Sequence, residues 1–217
     1  VEIGRGVTER AGSVLKAAGF PEKVLLVADS VTLGVSAGLT ESLAAAGFQV
    51  RQLVYDDMKY ARVEQVREVE AAAAEAEGIL SVGTGSLNDI CRVASYELHR
   101  AFAIFATAPS MDGFASDTAP IIENNFKSSW KAEQPEAILA DTRILAESPA
   151  ELKSAGFGDM AAKYIGIADW EIAHVLTGEY YCENVARLTL QATDRCFALA
   201  ERITERSEEA AGAVMEA

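Results

Sequence analysis

The stretch GILSVGTGSLNDICR (Gly78–Arg92) decides the fold. Gly78–Val82 is a short, apolar, turn-bounded run, the signature of a strand buried in a parallel sheet. Gly83 and Gly85 then allow a tight turn, and the residues after them open a helix. The backbone amides from Gly85 through Asn88 point out of that helix N-terminus, where free N–H groups and the helix dipole favour an anion such as pyrophosphate. Asn88 stands where a GxGxxG fingerprint needs its third glycine, so that fingerprint is not met. A plain strand–helix turn capped by Asn88 or Asp89 fits the same residues.

The pattern extends in both directions. Lys23–Ala28, Gln49–Val54, Ala101–Ala106 and Ala137–Ala140 are further short apolar runs of the buried parallel kind. Between them lie helical stretches, clearest at Arg62–Glu77, where Val63, Val66, Val69 and Ala73 make one apolar stripe. Strands alternating with helices predict an α/β N-terminal domain with a Rossmann-like parallel sheet, right-handed crossovers and ligands at the carboxyl ends of its strands. From Pro149 onward the apolar runs give way to helical stripes. Ala161, Ile165, Ala168 and Ile172 form one, and Val185, Leu188, Ala192, Cys196, Leu199 and Ile203 another. A third helix is expected from about Ser207. The chain is therefore divided into an α/β nucleotide-binding domain, 1–148, and the first part of an all-α domain, 149–217. The stop at Met215–Ala217, inside a helix, reads as a cut.

A formal charge of −14 argues against nucleic-acid and anionic-membrane partners, which need clustered Lys and Arg. It leaves a small phosphate possible, because backbone amides can hold one in an acidic protein. No apolar run approaches the roughly 20 residues of a membrane helix, and no signal peptide is evident. Cys91, Cys182 and Cys196 form no CxxC pair and read as reduced thiols of a cytoplasmic protein.

Two stretches set a carboxylate among small residues: TAPSMDGFAS (Thr107–Ser116) with Asp112, and AGFGDMAAK (Ala155–Lys163) with Asp159. Together they suggest a cleft with a carboxylate on each wall. Thr107 and Ser110 offer hydroxyls and Asp112 suits a polyhydroxyl substrate, although a turn at Pro109 with an Asx cap fits too. Gly156 and Gly158 read as a turn that presents Asp159 at a helix start, as a metal ligand or simply as a favourable first-turn carboxylate. Asp29, at the end of the first strand, suits a ribose hydroxyl or a helix cap. Of two histidines, His99 and His174, neither is placed to join Asp159 on a metal.

These motifs, with ILADTRILAESP and DWEIAHVLTGEYYCE, resemble the sn-glycerol-1-phosphate dehydrogenases, a branch of the iron-containing alcohol dehydrogenase and dehydroquinate synthase superfamily. SMDG after Thr107 is the specific part. The resemblance implies reduction of dihydroxyacetone phosphate by NADH or NADPH with one divalent metal, zinc or nickel, in a cytoplasmic homo-oligomer of phospholipid metabolism. By position it gives Gly85, Ser86, Leu87, Asn88 and Asp89 to the cofactor pyrophosphate. Thr107, Ala108, Pro109, Ser110 and Ser116 become further cofactor contacts, and Asp29 a ribose contact. Asp112 and Asp159 become catalytic, substrate-binding residues, with Asp159 also a metal ligand. The family's two metal-binding histidines fall after Ala217. A glycerol or other polyol dehydrogenase and a nucleotide-binding domain without chemistry are the competing readings.

Overall fold

The computed structural model describes residues 1–217. Six strands lie side by side, all parallel, as β1 (Glu2–Gly4), β8 (Ala137–Asp141), β5 (Ala101–Ala106), β4 (Gly78–Gly83), β2 (Lys23–Asp29) and β3 (Gln49–Tyr55). All six residues of β4 are buried. Alternate residues of the strands feed two cores. Leu25, Val27, Ile79 and Ile104 pack under α4 (Val63–Ala72) and α5 (Gly85–Leu98). Val24, Leu26, Leu80 and Phe105 pack under α1 (Val7–Ala17) and α3 (Leu39–Ala45). The chain leaves β2 for β3 on one side and then crosses to β4 on the other. That reversal puts a crevice between the carboxyl ends of β2 and β4, where open parallel sheets bind ligands.

The five strands read from sequence are all present, and two features differ. Gln49–Tyr55 lies at the sheet edge and is half-exposed, so it is not a buried strand. The helix expected to reach Glu77 ends at Ala72, because the Glu77 amide donates to the Lys23 carbonyl (2.9 Å) and already belongs to the sheet. Sequence reading also missed β1 and an antiparallel hairpin, β6 (Thr118–Glu123) with β7 (Phe126–Lys131). Asn124 and Asn125 both adopt positive φ, 50° and 61°, at its two-residue turn.

After Asp141 the chain is helical: α6 (Thr142–Glu147), α7 (Ala150–Thr177), α8 (Glu183–Ala198) and α9 (Glu208–Glu216). Ser207 caps α9 by accepting from the Ala210 amide at 3.2 Å. Helix α9 returns to the sheet layer, where Ala211 and Met215 enter the larger core. The α7 stripe is not packed: Ile165 is 67% and Ile172 55% exposed. On α8, Val185 and Leu188 are exposed while Cys196, and Ile203 beyond the helix, are buried.

The expectation that Gly156 and Gly158 form a turn is overturned. Both are helical, and Asp159 sits in the third turn of α7, not at its start. Gly156 is needed for close packing: a Cβ there would lie 1.9 Å from the Pro109 carbonyl oxygen. A Cβ on Gly158 would meet nothing within 4 Å. Gly156→Ala is therefore expected to destabilise the protein by roughly 1–3 kcal/mol or more through overpacking. Gly158→Ala should stabilise it by up to about 1 kcal/mol through helix propensity. Urea unfolding of both variants checks the pair, and equal effects would remove the distinction.

Candidate active-site cleft

A cavity of about 930 Å³ opens at the carboxyl ends of the strands. Helix α5 aims its first turn at it. Thr84 precedes the helix without a side-chain cap, leaving the Gly85, Ser86 and Leu87 amides to face outward. The Asn88 amide is excluded from that set, since it donates to the Thr84 carbonyl at 3.0 Å. Neither Asn88 nor Asp89 caps the turn. Buried Asn88 accepts from the Ser81 hydroxyl at 2.7 Å, and Leu87 packs inward against Gly83. Gly85 and Ser86 line the cavity, whereas Leu87, Asn88 and Asp89 do not. A Cβ on Gly85 would stand 3.4 Å from the Met111 sulfur.

Asp29 lines the same cavity and also caps α2 (Ser30–Val35), accepting from the Val31 and Thr32 amides at 3.0 and 2.8 Å. The helix cap read from sequence is thus present, on a residue that also faces the cleft. Across the cleft, Thr107, Ala108 and Ser110 face the cavity from the loop after β5. Pro109 is buried beneath them, and Ser116 lies apart, its hydroxyl 3.0 Å from the Thr118 carbonyl.

Beyond Met111 the loop meets α7. Gly156, Asp159 and Lys163 succeed one another at spacings of three and four, on one helix face. With Gly156 against Pro109, an Asp159 carboxylate oxygen accepts from the Asp112 amide at 3.2 Å, and the Lys163 ammonium pairs with the Asp112 carboxylate. The two carboxylates read from sequence are therefore brought together at the edge of the cavity; neither is part of its lining. The Asx cap proposed for Asp112 is absent.

Two arginines escaped the sequence reading. Arg143 donates to both Glu9 oxygens at 2.7 Å and to Asp141 at 2.8 Å. Burial pushes the Asp141 carboxyl up, but hydrogen bonds from Arg143 and Thr8 more than reverse this and hold it well below the usual range. Arg92 is completely buried in α5 and donates through Nη2 to the Gly113 and Phe114 carbonyls, both at 2.9 Å. Its Nε and Nη1 have no partner. The signal for it was a charged residue inside the run Leu87–Ser95, all of which is buried except Asp89.

His99 ends α5 in the left-handed conformation, and His174 contacts the Glu179 carbonyl near the end of α7. Neither approaches Asp159 in the contacts formed, and no three His, Cys, Asp or Glu side chains are grouped to hold a metal ion. These residues therefore do not make a metal site by themselves, because a catalytic zinc-type ion usually takes three protein ligands.

Burial raises the Asp89 carboxyl to about 7, against the pull of Arg92 and Lys127. Its folded value exceeds its unfolded one, so its contribution is intact below about pH 4 and is lost as pH rises through about 7. Asp89→Asn should match the parent near pH 4 and exceed it at pH 8 by on the order of 2–4 kcal/mol. Melting temperatures across that range measure this, and parallel profiles would refute it.

Comparison with known proteins identifies the family and the fold. The family model for iron-containing alcohol dehydrogenase matches residues 2–149. A glycerol-1-phosphate dehydrogenase [NAD(P)+] of Methanoculleus marisnigri is 34% identical over 217 residues, all of this chain and 60% of that protein. The same enzyme of Geobacillus thermodenitrificans is 39% identical over 143 residues, 66% of this chain and 35% of that one. This chain thus spans less than two thirds of either relative. Glycerol dehydrogenase from Schizosaccharomyces pombe superposes with a TM-score of 0.84 at 17% identity, covering 98% of this chain and 57% of its own. An iron-containing alcohol dehydrogenase from Thermococcus thioreducens gives 0.81 at 15% identity, covering 99% and 62%. With its parallel sheet, its uncapped strand–helix turn and its matching family model, the chain belongs to the iron-containing alcohol dehydrogenases.

Proposed function

We propose that the complete protein reduces dihydroxyacetone phosphate to sn-glycerol-1-phosphate with NADH or NADPH. The observation that carries this reading is the meeting of Asp112 and Asp159, 47 residues apart in sequence, beside a cavity suited to a dinucleotide. The similarity of the whole chain to a glycerol-1-phosphate dehydrogenase supports it. In this reading, residues 1–148 form the nucleotide-binding unit and 149–217 begin a helical substrate unit. The protein works in the cytoplasm as a homo-oligomer.

The outward amides at Gly85–Leu87 would hold the pyrophosphate, and Asp29, through its carboxylate oxygen not used in capping, a ribose hydroxyl. Thr107, Ala108 and Ser110 would flank the nicotinamide side. Leu87, Asn88 and Asp89 would act through the backbone and the packing of α5; Pro109 and Ser116 would shape the loop. Asp112 would accept from a substrate hydroxyl. A reduced nicotinamide, when bound, would supply the hydride that converts the substrate carbonyl to the alcohol. Asp159 would supply one ligand to a zinc or nickel ion, with the others coming from outside these 217 residues. Such an ion supplies Lewis-acid polarisation of a carbonyl when bound.

Two variants test the assignment. Gly85→Val places a side chain where backbone must approach the pyrophosphate, and should weaken NAD(H) binding at least about tenfold in a folded protein. Unchanged affinity by calorimetry would remove the α5 turn from the cofactor site. Asp159→Ala in the full-length protein should lose both bound metal and dihydroxyacetone phosphate reduction, whereas the 217-residue chain alone should bind metal weakly and show no turnover. Retained metal and activity in Asp159→Ala would overturn the assignment.

A further inference from the structure

Two cations touch the Asp112 loop, and they differ in access. Arg92 lies beneath it, completely buried, with its Nη2 bonded to the Gly113 and Phe114 carbonyls. Lys163 approaches from α7, its side chain 33% exposed, and pairs with an Asp112 carboxylate that is 41% exposed. It stands one helical turn beyond Asp159 on the same face, so ammonium and carboxylate address the loop side by side. The other cations of the cleft stand away from the Asp112 loop: Arg143 bridges Glu9 and Asp141, and Lys59, paired with Asp57, lies by the α5 turn, where the Ser86 hydroxyl donates to its carbonyl.

A phosphate dianion approaching this region meets Asp112 and Asp159 in a protein of formal charge −14. A cation must offset that repulsion locally if the phosphorylated substrate is to be preferred. We infer that Lys163 is the side chain that recognises the substrate's phosphate and sets the preference for a phosphorylated over an unphosphorylated three-carbon substrate. This rests on the reading of Asp112 and Asp159 as the substrate-binding pair. The ammonium carries three donors, so it can bind a phosphate oxygen while keeping Asp112. The Asp112 pair holds it in place before substrate arrives, which lowers the ordering cost of binding. A lysine that only clamped the loop to α7 would matter equally for substrates with and without phosphate.

The test compares kcat/KM for dihydroxyacetone phosphate and for dihydroxyacetone in the complete, metal-loaded enzyme and in Lys163→Gln. Calorimetric titration with inorganic phosphate is a readout independent of turnover. The parent should prefer the phosphorylated substrate and bind inorganic phosphate. In Lys163→Gln the loss on dihydroxyacetone phosphate should exceed that on dihydroxyacetone by about 30-fold or more, chiefly in KM, with phosphate affinity falling in parallel. Lys163→Arg should retain most of the preference. Equal losses on both substrates, or undiminished phosphate affinity, would overturn the role of Lys163 while leaving the dehydrogenase reading intact. A parent enzyme without preference for phosphate would instead overturn the substrate reading and this inference with it. Should Lys163→Gln fail to fold, Lys163→Met decides on the same comparison: a larger KM rise for the phosphorylated substrate supports the role, and an equal rise overturns it.

Discussion

The backbone of α7 at Gly156 lies directly against the Pro109 carbonyl, with no side chain between them. The rest of the candidate site depends on this approach. Helical geometry then sets Asp159, three residues on, and Lys163, seven on, along the same face. The loop after β5 is held from one side by this contact and from the other by Arg92. Asp112 therefore sits between two rigid helices, the arrangement that precise positioning of a reactive group requires.

Charge is deployed unevenly in this acidic chain. Arg143 and Asp141 are knotted together with Thr8 and Glu9, joining the end of β8 to the start of α1 at the rim of the cleft. Arg92 is a costlier choice, since a buried guanidinium with unpartnered nitrogens forfeits hydration that two carbonyl contacts only partly replace. Asp89 and Asp117 near it supply opposing charge. Stability at this point has been traded for a fixed loop backbone, a pattern typical of functional sites.

The central strands and α4 were legible because burial on both faces, or on one helical face, leaves an unmistakable apolar period. At three residues, β1 is too short for any period, and the β6–β7 hairpin alternates weakly, with half its residues exposed. Its Asn124–Asn125 turn was a readable signal. The clearest misreading came at Gly156–Gly158, where two glycines in three residues suggest a turn. Tertiary packing overrides that propensity, since only a glycine lets α7 approach Pro109. Asp29 shows the opposite limit: a cap and a cleft residue have the same sequence signature, and one aspartate serves as both. The nearness of Asp112 to Asp159 was inferable, but Lys163 as their companion required knowing that the helix runs unbroken through both glycines.

Helix α9 also bears on how the chain is assembled during synthesis. Arg5 beside β1 is bonded to Glu208 at the start of α9, 203 residues later. Thr142, just after β8, is bonded to the same carboxylate. The sheet's central strands pair over short sequence intervals and have their partners soon after they leave the ribosome. By contrast, β1 must wait for β8 to pair and for α9 to be covered. Until β8 emerges, β5 presents an unpaired margin of the sheet, the position from which strands of separate nascent chains join.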